Sequence, residues 1–241
     1  QRDFRIVERA DGFLIGTHLM REASKGSETK GADWLQKHFS PSPKRPLLKA
    51  CGIRTPDLLR EDTADWIGIN FSPVSRRRID TALLDALSTW PDNAVALFYK
   101  NSLEEIHGVL ARYPFKTVQL YADDITPQQL HTIRRKVMLA ISLRQPSDLD
   151  RIEQYAADID LFILDGAQPG SGQALQTDIP HDFPYPFLLA GGLRQDNAQQ
   201  MLQYGRCIGI DVASGIETDG RTDATKIKDL QTSLTALAMN S

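Results

Sequence analysis

From residue 47 onward, short strings of uninterrupted apolar residues alternate with longer stretches in which apolar and polar positions recur at helical spacing. The strings are "LLKAC", "DWIGINF", "AVALF", "KTVQLY", "KVMLAI", "DLFILD", "PFLLAGG" and "CIGIDVASG". A strand with one wet face alternates apolar and polar residues. These strings do not, so they predict strands buried on both faces, the habit of a parallel sheet covered by helices. The stretches between them supply those helices. After Asp80, residues Leu83, Ala86, Leu87 and Trp90 fall on one helical face. Ser102 followed by Glu105 is a capping box, with Leu103, Ile106 and Leu110 turned inward. Thr126-Pro127 sets a cap residue before a proline at the first helical position. Asp196 is placed to cap a helix carrying Ala198, Met201 and Leu202 that stops near Gly205. Ile227, Leu230, Leu234 and Leu237 form one more face, whereas Pro180 and Pro184 predict an irregular connection over residues 173–185.

Eight strand–helix repeats predict an α/β fold closed as a (β/α)8 TIM barrel. An open doubly wound sheet is the alternative, but it usually has fewer strands, and no G-x-G-x-x-G follows the first string. A barrel turns position into function, because residues just past the C-terminal strand ends meet at one mouth. Cys51 ends the first string and Asp165 the sixth, and Arg77 follows the second. "PGSG" (169–172) follows the sixth, "AGG" (190–192) ends the seventh, and "SG" (214–215) follows the eighth. Residues 1–46 stand outside the count. "ADGFLIGTHLMREASKG" reads as a strand, a turn and a helix start, and "SPSPKRP" as a linker, the tail of another domain.

Composition removes several classes of function. The 241 residues are 41% hydrophobic and 24% charged, with a net charge of -3, so there is no cationic field for nucleic acid and none is expected as a partner. The basic runs "SRRRID" and "TIRRKV" read as solvated faces, although the first lies where a small anionic substrate would use it. Two cysteines, Cys51 and Cys207, make neither a disulfide framework nor a metal-ligand spacing, and fit a reducing cytoplasm. No apolar run approaches the roughly 20 residues that span a bilayer, so no membrane is expected. "QRDFRIVERADG" lacks a signal-peptide layout, and a start at Gln rather than Met predicts a natural N-terminus upstream. Cys207, at the upstream end of its string, reads as a structural thiol; His107 and His131 read as surface or helix-packing residues; Met20 and Met201 follow no metal or cofactor pattern.

Cys51 carries two readings. A free cysteine is by default a small buried hydrophobe. Facing Asp165 across a barrel mouth, it is instead a base paired with an acid, provided the thiol is drawn toward thiolate and the carboxyl held protonated. Asp165 alone also reads as a loop cap. Three glycine turns at adjacent strand ends let backbone N–H groups approach an anion, and phosphate is the anion that barrels bind there.

In their order and spacing, "LLKACGIRTP", "INFSPVSRRRI", "ALFYKN", "VQLY", "FILDGAQPGSGQ", "LLAGGLRQDN" and "IDVASGIE" closely resemble the phosphoribosylanthranilate isomerase family of tryptophan biosynthesis, over residues 47 to about 230. The resemblance implies a cofactor-free Amadori rearrangement of a small phosphorylated substrate, with Cys51 as general base and Asp165 as general acid. It implies that Arg77 pairs with the anthranilate carboxylate, with Arg76 and Arg78 as adjacent alternatives. Gln119, Gly170, Ser171, Gly172, Gly191, Gly192, Ser214 and Gly215 are the implied substrate- and phosphate-binding positions. The chain departs from the family pattern in four places. Tyr121 stands where the family has a histidine, Arg76 where it has proline, "QALQ" where an aromatic segment follows the Gly-Ser-Gly turn, and Thr222 where it has lysine. Separately, "ADGFLIGTHLMR" is similar to the last strand and helix of indole-3-glycerol phosphate synthase, which implies a fused synthase domain ahead of the barrel. The related histidine-pathway sugar isomerase is disfavoured by Cys51, since it uses carboxylates in both roles. A non-catalytic phosphate-binding barrel is the alternative from another class.

Overall fold

The computed structural model describes residues 45–166, 179–180 and 183–239. Residues 1–44, to which most of the expected N-terminal extension belongs, lie outside them. Among the described residues a closed barrel runs in the order β1 (Leu47–Cys51), β2 (Trp66–Asn70), β3 (Ala94–Leu97), β4 (Thr117–Tyr121), β5 (Lys136–Ser142), β6 (Leu161–Asp165), β7 (Phe187–Ala190) and β8 (Cys207–Val212). Every neighbouring pair is parallel, and β8 pairs back with β1 through Leu47↔Gly209 and Lys49↔Asp211. The eight apolar strings are therefore the eight strands of a TIM barrel, and the doubly wound alternative is excluded by closure.

Two apolar layers explain why the strings are continuous. Outward-facing Leu48, Ile67, Ile69, Val118, Leu139, Ile141, Phe162 and Leu189 meet the covering elements, while inward-facing Leu47, Val95, Met138, Leu161, Ile163 and Leu188 fill the barrel. Successive residues of one strand thus serve opposite layers, and both layers exclude water.

The covering elements follow the predicted caps in most places. In α1 (Thr81–Asp85) the Asp80 carboxylate accepts from the Ala82 N–H. In α2 (Leu103–Arg112) both bonds of the Ser102/Glu105 capping box form. Thr126 and Gln129 do the same at α3 (Pro127–Leu130). The short α4 (Ile152–Tyr155) follows a 3-10 turn, and α5 (Ala224–Met239) buries Ile227, Leu230 and Leu234.

Two helices are shorter than their periodicity predicts. α1 ends at Asp85, and Trp90 is packed instead by stacking on Tyr113 at 5.7 Å and meeting Phe115 edge-on at 4.8 Å. After β7 the chain makes a 3-10 helix at Ala198–Gln203. Its preceding turn is held by Asn197, which accepts from the Arg194 N–H and donates to the Gly192 carbonyl, in place of Asp196.

Closure also depends on one glycine. A Cβ on Gly209 would lie 2.2 Å from the Leu47 carbonyl oxygen, a backbone atom fixed in the β1–β8 ladder. Gly209→Ala is expected to cost about 1–3 kcal/mol or more. That lowers Tm by roughly 2–4 °C per kcal/mol in a chain of this size, measured by thermal denaturation. An unchanged Tm would show that the ladder yields at this point.

Candidate active site

Because the strands are parallel, their C-terminal ends share one rim, and the pocket opens there with a volume of ≈ 330 Å³. Cys51, Arg77, Tyr99, Tyr121, Asp165, Gly191, Gly192, Asp211 and Ser214 are among its lining residues. Most sequence-predicted positions therefore do converge. Gly170, Ser171 and Gly172 lie outside the described residues. Gln119 is one residue pair deeper on β4 than Tyr121, is 1% exposed and does not line the pocket. Gly215 serves packing, since a Cβ there would meet the Leu193 carbonyl oxygen at 2.0 Å.

Cys51 is buried at the end of β1, among the inward-facing residues. Burial pushes its thiol up to about 11; Lys49 and Arg77 work against that rise, and Asp211 adds to it. Asp165, at the end of β6 and 8% exposed, is pushed up to about 7 by burial and by the Asp211 charge, with the Gly166 N–H and Lys49 opposing. A carboxyl half-protonated near neutrality is poised to donate a proton. Tyr121 keeps its phenol proton, because burial raises its pKa well above the usual value and Asp165, Cys51 and Asp211 reinforce the shift. Its ring lies 4.8 Å from that of Tyr99, giving the mouth an aromatic wall.

The second strand end positions the arginine. Asn70 Oδ1 accepts from the Ser72 N–H and its amide donates to Ser75 Oγ, which in turn accepts from the Arg77 N–H. This bracing turns Arg77 inward to 5% exposure while Arg76 and Arg78 stay exposed, so of the three Arg77 alone is buried at the site, with Arg76 on the rim of the pocket, 3.3 Å from Glu217. Gly52, at φ 78°, leaves the space that the Arg77 stem crosses: a Cβ there would sit 2.6 Å from Arg77 Cδ. The Cys-Gly dipeptide thus places a thiol and admits a guanidinium in two consecutive residues. Gly191 and Gly192, at φ 98° and 62°, turn the backbone after β7 beside Ser214, in the region expected to receive an anion.

Sequence reasoning missed two partners. Glu217, just after β8, receives Arg77 Nε at 2.7 Å and Nη2 at 2.8 Å on its two oxygens. Asp211 Oδ1 lies 2.9 Å from Lys49 Nζ inside the barrel. A lysine within a fully buried strand is itself a signal, since a buried ammonium demands an anion. Cys207 is half-buried at the opposite end of β8, bonded to the Gly209 carbonyl, and burial pushes its thiol up to about 12. His107 and His131 are exposed, as expected.

Comparison with known proteins agrees with this geometry. The family of N-(5'-phosphoribosyl)anthranilate (PRA) isomerases matches residues 48–232. The N-(5'-phosphoribosyl)anthranilate isomerase of Brevibacillus brevis is 32% identical over 208 residues, covering 76% of this chain and 90% of its own. The Synechocystis isomerase of the same name is 30% identical, covering 80% of this chain and 97% of its own. The crystal structure of phosphoribosyl anthranilate isomerase from Thermus thermophilus superimposes with a TM-score of 0.66 at 27% identity, over 79% of this chain and 99% of that one. With the matched range spanning the whole barrel and its mouth, the chain belongs to the N-(5'-phosphoribosyl)anthranilate isomerase family.

Proposed function

We propose that this chain converts N-(5'-phosphoribosyl)anthranilate to 1-(2-carboxyphenylamino)-1-deoxyribulose 5-phosphate, with Asp165 as general acid and Cys51 as general base. The observation that carries the assignment is the shared mouth: a carboxyl held near pKa 7 and an inward-facing thiol line one pocket. Asp165 donates its proton to the ribose ring oxygen as the C1′–O bond breaks, and the anthranilate nitrogen supplies the electron pair that forms the C1′ iminium. The iminium acidifies C2′. Cys51 thiolate takes the C2′ proton, and the released pair forms the C1′=C2′ bond while the iminium pair returns to nitrogen. The enol then gains a proton at C1′ and loses one from its C2′ hydroxyl, giving the ketone. No cofactor enters this sequence of steps.

Arg77 receives the anthranilate carboxylate. Glu217 occupies the edge of its guanidinium formed by Nε and Nη2, which leaves Nη1 and the second Nη2 proton for a substrate carboxylate. Tyr99 and Tyr121 flank the aromatic ring, and the turn at Gly191–Gly192 with Ser214 offers donors to the phosphate. Gly170, Ser171 and Gly172 join that phosphate site on the strength of the sequence motif alone.

The same reading makes residues 1–46 the tail of a fused indole-3-glycerol phosphate synthase domain, supported by "ADGFLIGTHLMR" and by a family match that begins at residue 48. The end of that segment is tied to the barrel, since the Arg45 guanidinium grips Asp65 at 2.7 and 2.9 Å. Among the described residues no helix is long and apolar enough to cross a membrane, and two free cysteines fit a cytoplasmic setting.

The deciding experiment adds the protein to freshly made phosphoribosylanthranilate and follows its fluorescence. A loss faster than the spontaneous rate, slowed by inorganic phosphate, is expected. A rate equal to the spontaneous one would favour the non-catalytic barrel.

A further inference from the structure

The acid–base reading leaves one buried ion pair without a task. Lys49 lies two residues before Cys51 on β1, so both side chains project into the barrel, and Lys49 is 0% exposed. Its ammonium meets Asp211 on β8 at 2.9 Å, and Asp211, unlike Lys49, lines the pocket. β2 makes room for both. A Cβ on Gly68 would stand 2.9 Å from Cys51 Sγ and 3.2 Å from Lys49 Nζ, so thiol and ammonium flank the one point where that strand carries no side chain. A largely buried ion pair at the floor of the mouth is not explained by stability, because apolar residues of similar volume often hold a core as well or better.

We propose that Lys49 is the counter-ion of the Cys51 thiolate and that Asp211 holds it in place, the two acting as positioning residues that set how readily the base ionises. The proposal rests on Cys51 as the base. When the thiol is protonated, the ammonium belongs to Asp211 alone. When the proton leaves, Lys49 faces two anions, and the new charge is matched inside the barrel. The charged and titratable groups that line the mouth with the thiol come from five further elements: Arg76 and Arg77 from the loop after β2, Tyr99 from the loop after β3, Tyr121 on β4, Asp165 on β6 and Asp211 on β8. Lys49 and Arg77 favour the thiolate, Asp211 opposes it, and Tyr121 stays neutral. The pair therefore acts on Cys51 with two opposite signs, and that separates an electrostatic role from a packing one.

The test measures the alkylation rate of Cys51 by iodoacetamide against pH, in a Cys207→Ala background so that one thiol reports. Lys49→Met is expected to slow alkylation near pH 8 by about tenfold or more, and Asp211→Asn to speed it by a similar factor, since a charge at this range shifts a pKa by roughly 1–3 units. Lys49→Arg, which keeps the cation, should stay near the parent. Changes of the same sign in Lys49→Met and Asp211→Asn, or no change in either, would overturn the proposal. If Lys49→Met does not fold, Asp211→Asn decides: a slower or unchanged rate refutes the coupling. Alkylation does not depend on turnover, so the two readings fail separately. Activity surviving in Cys51→Ala refutes the base assignment, whereas an unmoved alkylation profile refutes the coupling alone.

Discussion

Asp165→Asn is expected to lower kcat by about 100- to 10,000-fold, the range over which a positioned acid contributes, while substrate affinity stays close to the parent value. The amide is nearly isosteric, and it cannot give a proton to the ring oxygen. Cys51→Ala should fall in the same range and Cys207→Ala should not fall at all, because Cys207 lies at the far end of β8 from the mouth. The pH profile separates the acid from the base. Productive enzyme carries Asp165 protonated, favoured below about 7, and Cys51 ionised, favoured above about 11. Below the first value the acid is fully protonated and the thiolate fraction grows roughly tenfold per pH unit, so kcat/KM climbs. Above it the acid is lost as fast as the thiolate is gained, and the profile flattens. The break near 7 therefore belongs to Asp165, even though activity rises on its acidic side. In Asp165→Asn the break should vanish and the residual rate keep climbing through neutrality. A break that persists in that variant would assign it to another group.

The strands were legible because each is buried on both faces, which leaves a continuous apolar string with little to confuse it. The mouth residues Cys51, Arg77 and Asp165 were legible for a related reason, since parallel closure converts "end of a string" into a place. Helices were read less well where packing could satisfy an apolar period without helical backbone. Trp90 completes the spacing begun at Leu83, yet its ring is half-buried against Tyr113 and Phe115 while the chain turns toward β3. Asp196 is a competent cap residue, yet the 3-10 helix at Ala198–Gln203 starts with no side-chain cap bond, because the side chain of Asn197 is spent on the preceding turn, at the Arg194 N–H and the Gly192 carbonyl. The ion pairs were beyond local pattern altogether: Lys49 and Asp211 are 162 residues apart, Arg77 and Glu217 140. Only the closing of β8 on β1 brings them together. Gln119 shows the converse. Its position in "VQLY" matches the family, but strand alternation places it one layer below Tyr121, where its Oε1 has no hydrogen-bond partner among the described residues.

Glu217→Ala should damage both stability and substrate binding, because it strips the partner from a buried guanidinium. Arg77 and Glu217 side chains are each 6% exposed and joined by two bonds, so removing the carboxylate leaves an unpaired cation inside the mouth. Breaking such a pair costs about 3–5 kcal/mol, readable by urea unfolding near neutral pH. Binding suffers for a geometric reason. Glu217 fixes the plane of the guanidinium and thereby aims its free edge, and a rotating Arg77 cannot offer two parallel N–H groups to a carboxylate. KM should rise by at least about tenfold, equivalent to roughly 1.4 kcal/mol, with kcat changed much less, since neither reacting proton passes through Arg77. Stability should also respond to acid. Burial raises the Glu217 pKa, but the bonds and charges of Arg77, with Arg76 and Arg54, outweigh it and hold the carboxyl below its ordinary 4.5. The pair's contribution is thus complete above that value and is lost as pH falls through the lower folded-state pKa. Glu217→Gln, which keeps one acceptor but no charge, should lose this part of the acid dependence and bind substrate between the parent and Glu217→Ala. If Glu217→Ala unfolds within about 1 kcal/mol of the parent and keeps its KM, Arg77 is held by its own burial and by Ser75, and the carboxylate is incidental to its aim.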